Sequence, residues 1–121
     1  MKNILLLLTF ILIVFSSCTN VSEDDLIIKT PQPVLTTYND GVKTIIDNNC
    51  IACHANPPIN GAPISLTTFS DVKNAVMNSN LIDRISRQAG ESGAMPFGGP
   101  RLPQNLIDLI KKWEDDGLLE E

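Results

Sequence analysis

Five consecutive residues constrain this chain more than any others: Cys50-Ile51-Ala52-Cys53-His54. Two thiols three positions apart share one side of a helical turn, and an imidazole follows at once. That spacing reads as a c-type haem attachment site. Each thiol can add across one haem vinyl group. His54 can then bring a ring nitrogen to the iron as proximal ligand.

Other chemistries for the same residues ask for more than the chain offers. A thioredoxin-like pair usually sits near a βαβ pattern, and none is visible. A zinc site needs four ligands, whereas the chain holds three cysteines and one histidine, with Cys18 used elsewhere. A plain Cys50–Cys53 disulfide stays open as a reading, although it leaves His54 without a purpose.

A chain of 121 residues has room for one small domain plus extras. Residues 1–17 read as a secretory signal peptide. Lys2 supplies the positive start, and the apolar run from Ile4 to Phe15 is too short to span a bilayer as a helix. The run ends in Phe15-Ser16-Ser17-Cys18, which resembles the lipobox of bacterial lipoproteins, with Phe15 where leucine is usual. The resemblance implies cleavage before Cys18 and a lipid on its sulfur. The protein would then be lipid-anchored to a membrane of the bacterial envelope, facing the periplasm or the cell surface. A secreted form with a free Cys18 and a retained membrane anchor are the alternatives. Losing residues 1–17 removes Lys2 and no acid, so the net charge moves from −5 to −6. Such an excess of acid argues against nucleic acid and against polybasic binding to anionic lipid. The cysteines then divide into one for lipid and two for haem, with none left for a structural disulfide.

Residues 18–36 read as the lipidated cysteine and a flexible tether. They carry an acidic cluster, Ser22-Glu23-Asp24-Asp25, and a Pro31-Gln32-Pro33 unit that favours extended conformation. The cluster resembles export signals that send some Gram-negative lipoproteins to the cell surface, and a solvated linker accounts for it equally well.

Over residues 37–121 the apolar periodicity is helical. A first helix is expected from about Thr37 to Asn49, with Tyr38, Val42, Ile45 and Ile46 on one face. Gly41 in that stretch reads either as a tolerated helix start or as a close helix crossing. A loop from Ala55 to Pro63 follows His54, and its Pro57 or Pro63 carbonyl is the expected partner of the second imidazole nitrogen. The next helix begins at Thr68, with Asp71 completing a capping box. A third runs from Leu81 to about Gln88, with Arg84 and Arg87 facing solvent. The last has Pro103 near its first turn, buries Leu106, Ile107, Ile110 and Trp113, and ends at Gly117. No strand alternation is convincing, so the expected fold class is all-α. A head of this size buries little apolar area alone, and a bound macrocycle would complete its core.

A second iron ligand is expected at Met95, within Gly93-Ala94-Met95-Pro96-Phe97-Gly98-Gly99-Pro100. A thioether opposite histidine gives the low-spin iron of electron-transfer cytochromes. Pro96 restricts Met95 toward an extended backbone, which helps hold its sulfur in one place. Met77, on a helix beside Val76, reads instead as core packing. A second histidine cannot serve, because the chain has only one.

The Cys50 to His54 motif, the methionine loop and the terminal helix with Ile110, Trp113 and Gly117 together resemble the class I cytochrome c family. The similarity covers about Thr37 to Leu119. It implies a small helical domain wrapped around one covalent haem c, with the first and last helices crossing beside it. Carried over residue by residue, Cys50 and Cys53 form thioethers, and His54 and Met95 are the axial ligands. Arg101 and the Trp113 indole N–H are candidate donors to the haem propionates, with an exposed surface charge as the other reading of Arg101. The implied function is that of a monomeric, membrane-tethered monohaem cytochrome. It would carry single electrons between redox donor and acceptor proteins outside the cytoplasm and transform no substrate. The alternatives are a haem-based ligand sensor or peroxidase-like enzyme with an open distal site, and a haem-free lipoprotein binding module with a Cys50–Cys53 disulfide.

Overall fold

Helix formation begins where the Thr37 hydroxyl accepts the N–H of Asp40 at 3.2 Å and caps the first turn. The computed structural model describes residues Val34–Glu121. The expected signal at 1–17, Cys18 and the tether as far as Pro33 lie outside the described residues. From Thr37 the chain enters a π-helical turn, Tyr38–Val42, and continues into α1, Lys43–Asn49. The single helix expected here is therefore interrupted, and Gly41 is where it breaks, with φ 169° and ψ −47°. A Cβ on Gly41 would stand 3.0 Å from Cδ2 of Leu109 in the last helix. Of the two readings of this glycine, the close crossing is the one observed.

The next helix, α2, spans Phe69–Asn78. Its capping box forms as expected: the Asp71 N–H donates to Thr68 Oγ1 and the Thr68 N–H to Asp71 Oδ2, both at 3.1 Å. Val72, Ala75 and Val76 are its buried stripe. Met77 stands one residue further round the helix and is 61% exposed, which corrects its assignment to the core. α3, Leu81–Ser86, is shorter than expected because the backbone is already extended at Arg87. Leu81 and Ile85 fasten it to the core.

After Pro103, α4 covers Gln104–Asp115 and buries Ile107, Ile110 and Trp113. Leu106 is only half-buried against the same core. The α4 helix packs on both the π-helical turn and α3. Beyond it, Gly117 takes φ 98° and turns the chain back. The returning Leu119 carbonyl accepts the Tyr38 N–H at 2.9 Å and the Trp113 indole N–H at 2.7 Å. Glu120 likewise accepts from the Asn39 N–H at 3.1 Å, beside an isolated parallel bridge between Thr37 and Leu119. The Thr36 N–H reaches Asp116 Oδ2 at 2.6 Å, so the last residue of the expected tether is bonded to the domain. Tyr38, Phe69 and Trp113 form an aromatic cluster with centroid separations of 5.5 to 6.3 Å. The described residues thus form a small all-α bundle without a sheet. Among them no helix is long and apolar enough to cross a membrane.

Candidate haem site

The motif sits on the turn that ends α1. The Cys50 N–H still donates to Ile46 O at 2.8 Å, as a last helical bond. The Cys50 carbonyl then accepts from the N–H groups of both Cys53, at 3.2 Å, and His54, at 3.0 Å. One tight turn therefore gathers Cys50, Cys53 and His54. Both thiols are free, so the disulfide that the sequence leaves open is not formed. Cys50 packs against the hydrophobic core, and burial pushes its thiol up to about 11. A dithiol oxidoreductase needs a low thiol pKa to populate its nucleophilic thiolate, and Cys50 is shifted the other way. The Cys53 sulfur lies 3.7 Å from the Asn60 amide nitrogen.

His54 is oriented by its own loop. Its Nδ1 lies 2.8 Å from the carbonyl oxygen of Ile64. A carbonyl can only accept, so Nδ1 carries the hydrogen and donates, and Nε2 keeps the lone pair. An imidazole held this way is arranged to ligate a metal through Nε2. The expected partner was a carbonyl of Pro57 or Pro63, and the structure places it on Ile64 instead. The reason is a fold-back of the loop. The Ile59 N–H donates to Cys53 O and the Leu66 N–H to His54 O, both at 2.9 Å, which lays Ile64 beside the ring.

Met95 arrives from a different part of the chain, the loop between α3 and α4. It is half-buried against the same core that Cys50 touches. Its N–H donates to the Arg84 carbonyl at 3.0 Å. Arg84 and Arg87 stay partly open to solvent, but they also grip this loop, which the sequence reading missed. The Arg84 Nη1 donates to Gly93 O at 3.4 Å, and Arg87 donates from Nη1 to Ser92 O. Nothing in their spacing along the chain marks this, because their partners are loop carbonyls.

The expected propionate donors are already engaged. Arg101 donates from Nε to Ser86 O at 3.1 Å, from Nη1 to Leu102 O at 3.4 Å and from Nη2 to Gln104 Oε1 at 2.7 Å. It is therefore neither a bare surface charge nor an uncommitted donor. The Trp113 indole N–H is spent on Leu119.

Among the described residues no three His, Cys, Asp or Glu side chains group so as to hold a metal ion. The donors present are of the types that a covalent haem would use. They are two unpaired thiols on one turn, one imidazole with a defined lone-pair nitrogen, and a thioether on a separate loop. Apolar surface is also left open on both ligand loops, with Ile59 49% and Phe97 88% exposed. A depression of about 470 Å³ lies over the methionine loop, walled by Ala94, Pro96 and Phe97 among others. No residue from Cys50 to His54 lines it, so it is a concavity of that loop alone. No family model, curated protein or solved structure matches this chain.

Proposed function

We propose that this protein is a monohaem c-type cytochrome of the class I kind, held to a membrane by lipid on Cys18, which carries single electrons between redox proteins outside the cytoplasm. The observation that carries the reading is the turn from Cys50 to His54. It holds two free thiols, and the neighbouring imidazole donates through Nδ1 to Ile64, which leaves Nε2 as a ligand nitrogen. Haem c supplies a one-electron iron couple when it is bound. Cys50 and Cys53 would hold it through thioethers. His54 through Nε2 and Met95 through its sulfur would be the iron ligands. A sulfur ligand favours the reduced iron and raises the potential. With both ligands bound, the iron would keep no position for a substrate, as a carrier requires and a sensor or peroxidase-like enzyme does not.

The test is chemical. Full-length protein produced with haem-attachment machinery should carry one haem that survives acid–acetone extraction, and its denatured mass should include it. The Cys18→Ala variant, prepared in the same way, should leave the membrane fraction. An apoprotein with two titratable thiols at Cys50 and Cys53 would refute the cytochrome reading. A Cys18→Ala protein still cleaved and membrane-bound would refute the anchor.

A further inference from the structure

We propose that Arg84 of α3 and Arg87 just after it are positioning residues for the Met95 sulfur, and that their grip on the loop sets how readily that sulfur leaves the iron. The inference rests on the haem reading above and concerns the strength of one of its bonds.

The α3 helix is short and ends at Ser86, so its last carbonyls need partners from outside the helix. Arg84 O would ordinarily accept the N–H of Gln88, four residues on. That N–H donates instead to Glu91 Oε2 at 2.8 Å. The carbonyl freed in this way takes the N–H of Met95 at 3.0 Å. Ser86 O is served by Arg101 Nε at 3.1 Å, from the far side of the methionine loop. Both flanks of the loop are therefore fastened to the last turn of one helix.

The guanidinium groups close the remaining side. Arg84 donates to Gly93 O and Arg87 to Ser92 O, the two carbonyls two and three residues before Met95. Arg87 is itself held in place by Asp83, whose Oδ2 accepts from Nη2 at 2.6 Å and from Nε at 3.1 Å. The two guanidinium groups lie directly over Gly93. A Cβ there would stand 2.8 Å from Arg87 Nη1 and 3.2 Å from Arg84 Nη1, and Gly93 has φ +76°. The backbone conformation therefore favours glycine at this point, and a side chain there would push the two guanidinium groups aside. A surface ion pair alone would be worth little. Here the pair aims a donor at a loop carbonyl, and the loop leads straight into the ligand.

The experiment follows cyanide binding to the ferric, haem-loaded, full-length protein, together with reduction potential and thermal unfolding. If binding waits for Met95 to leave, the Arg84→Ala/Arg87→Ala double variant should bind cyanide about tenfold faster, as expected from losing roughly 1.4 kcal/mol of loop closure. Its reduction potential should fall. Arg87→Lys keeps the charge but not the fork that spans Asp83 and Ser92, and should restore only part of the slow rate. Asp83→Asn, an exposed change that leaves both arginines in the chain, should raise the rate severalfold. Lys112→Ala breaks a comparable i,i+4 pair on α4 and should alter unfolding at most, leaving the rate unchanged. A double variant and an Asp83→Asn variant that both bind cyanide within twofold of the wild-type rate, while Met95→Ala binds quickly, would overturn the positioning role and spare the haem assignment. A Met95→Ala protein with the wild-type spectrum and rate would instead remove Met95 as the ligand, and the arginine proposal with it.

Discussion

At the scale of single residues, the two methionines of the folded head make the sharpest contrast. Met95 is half-buried against the core with its N–H bonded to Arg84, whereas Met77 projects from the outer face of α2. An exposed thioether on a helix surface has no packing to hold it in one position. Met77→Leu should therefore leave the visible spectrum and the potential unchanged. If the proposed haem is bound, Met95→His should keep a low-spin iron but lower its potential, within the roughly 0.8 V that axial ligands span across haem proteins. Spectra and redox titration of the two variants check this. A Met77→Leu protein that loses its low-spin spectrum would show that the wrong methionine has been assigned. His54 is decided at the same scale. Its ring is held by one hydrogen bond to the backbone carbonyl of Ile64.

At the scale of elements, α2 is set by its N-terminus. The reciprocal Thr68–Asp71 box satisfies two backbone N–H groups that the helix leaves unpaired. Thr68→Ala should cost about 1 kcal/mol in urea unfolding. The hydrogen bond from the Thr68 side chain, more than any other cause, holds the Asp71 carboxyl below its ordinary value of 3.8. A depressed folded-state pKa means that the unfolded chain binds the proton more tightly. The contribution is therefore present above about pH 4 and is lost as pH falls through the folded value. Asp71→Asn should remove that part of the acid sensitivity, seen as a smaller drop in the urea midpoint between neutral and acid pH. An unchanged drop would mean that the box does not persist in solution. The α1 element behaves differently. Gly41 breaks the π-helical turn that leads into it, where Leu109 of α4 approaches, and local propensity is subordinate to that crossing.

At the scale of the whole domain, the two ends of the described chain are held together by very few groups. Leu119 O serves Tyr38 and Trp113 at once, Glu120 O serves Asn39, and Leu118 is buried. Trp113 in turn contacts Tyr38 and Phe69, which joins the entry of the domain, α2 and α4. Deleting Leu118–Glu121 would remove a buried leucine and leave the Trp113 indole N–H without its acceptor. The haem-loaded truncated protein should lose about 3 kcal/mol or more in urea unfolding, the combined scale of one leucine cavity and one unsatisfied buried donor. A truncated protein as stable as the full chain would show that the closure between the ends carries little weight. A domain this small has little core to spare, which is why four residues should matter so much.

The sequence by itself determined what depends on neighbours along the chain. The Cys50 to His54 spacing, the apolar stripes of α1, α2 and α4, the Thr68 cap and the stop at Gly117 are all set by residues within a few positions of one another. Periodicity and covalent spacing are sufficient for these. Other features were decided only when distant segments met. Ile64 became the partner of His54 because the loop folds back through the Ile59 and Leu66 N–H groups. The Arg84 carbonyl took the Met95 N–H because α3 ends early and leaves it without a helical partner, and the Gly93 and Ser92 carbonyls of that loop accept from Arg84 and Arg87. Trp113 turned its N–H to Leu119 because the chain reverses after α4. Side-chain composition carries no record of where a backbone carbonyl will come to lie. Each of these pairings uses a backbone carbonyl, and only tertiary packing assigns it a donor.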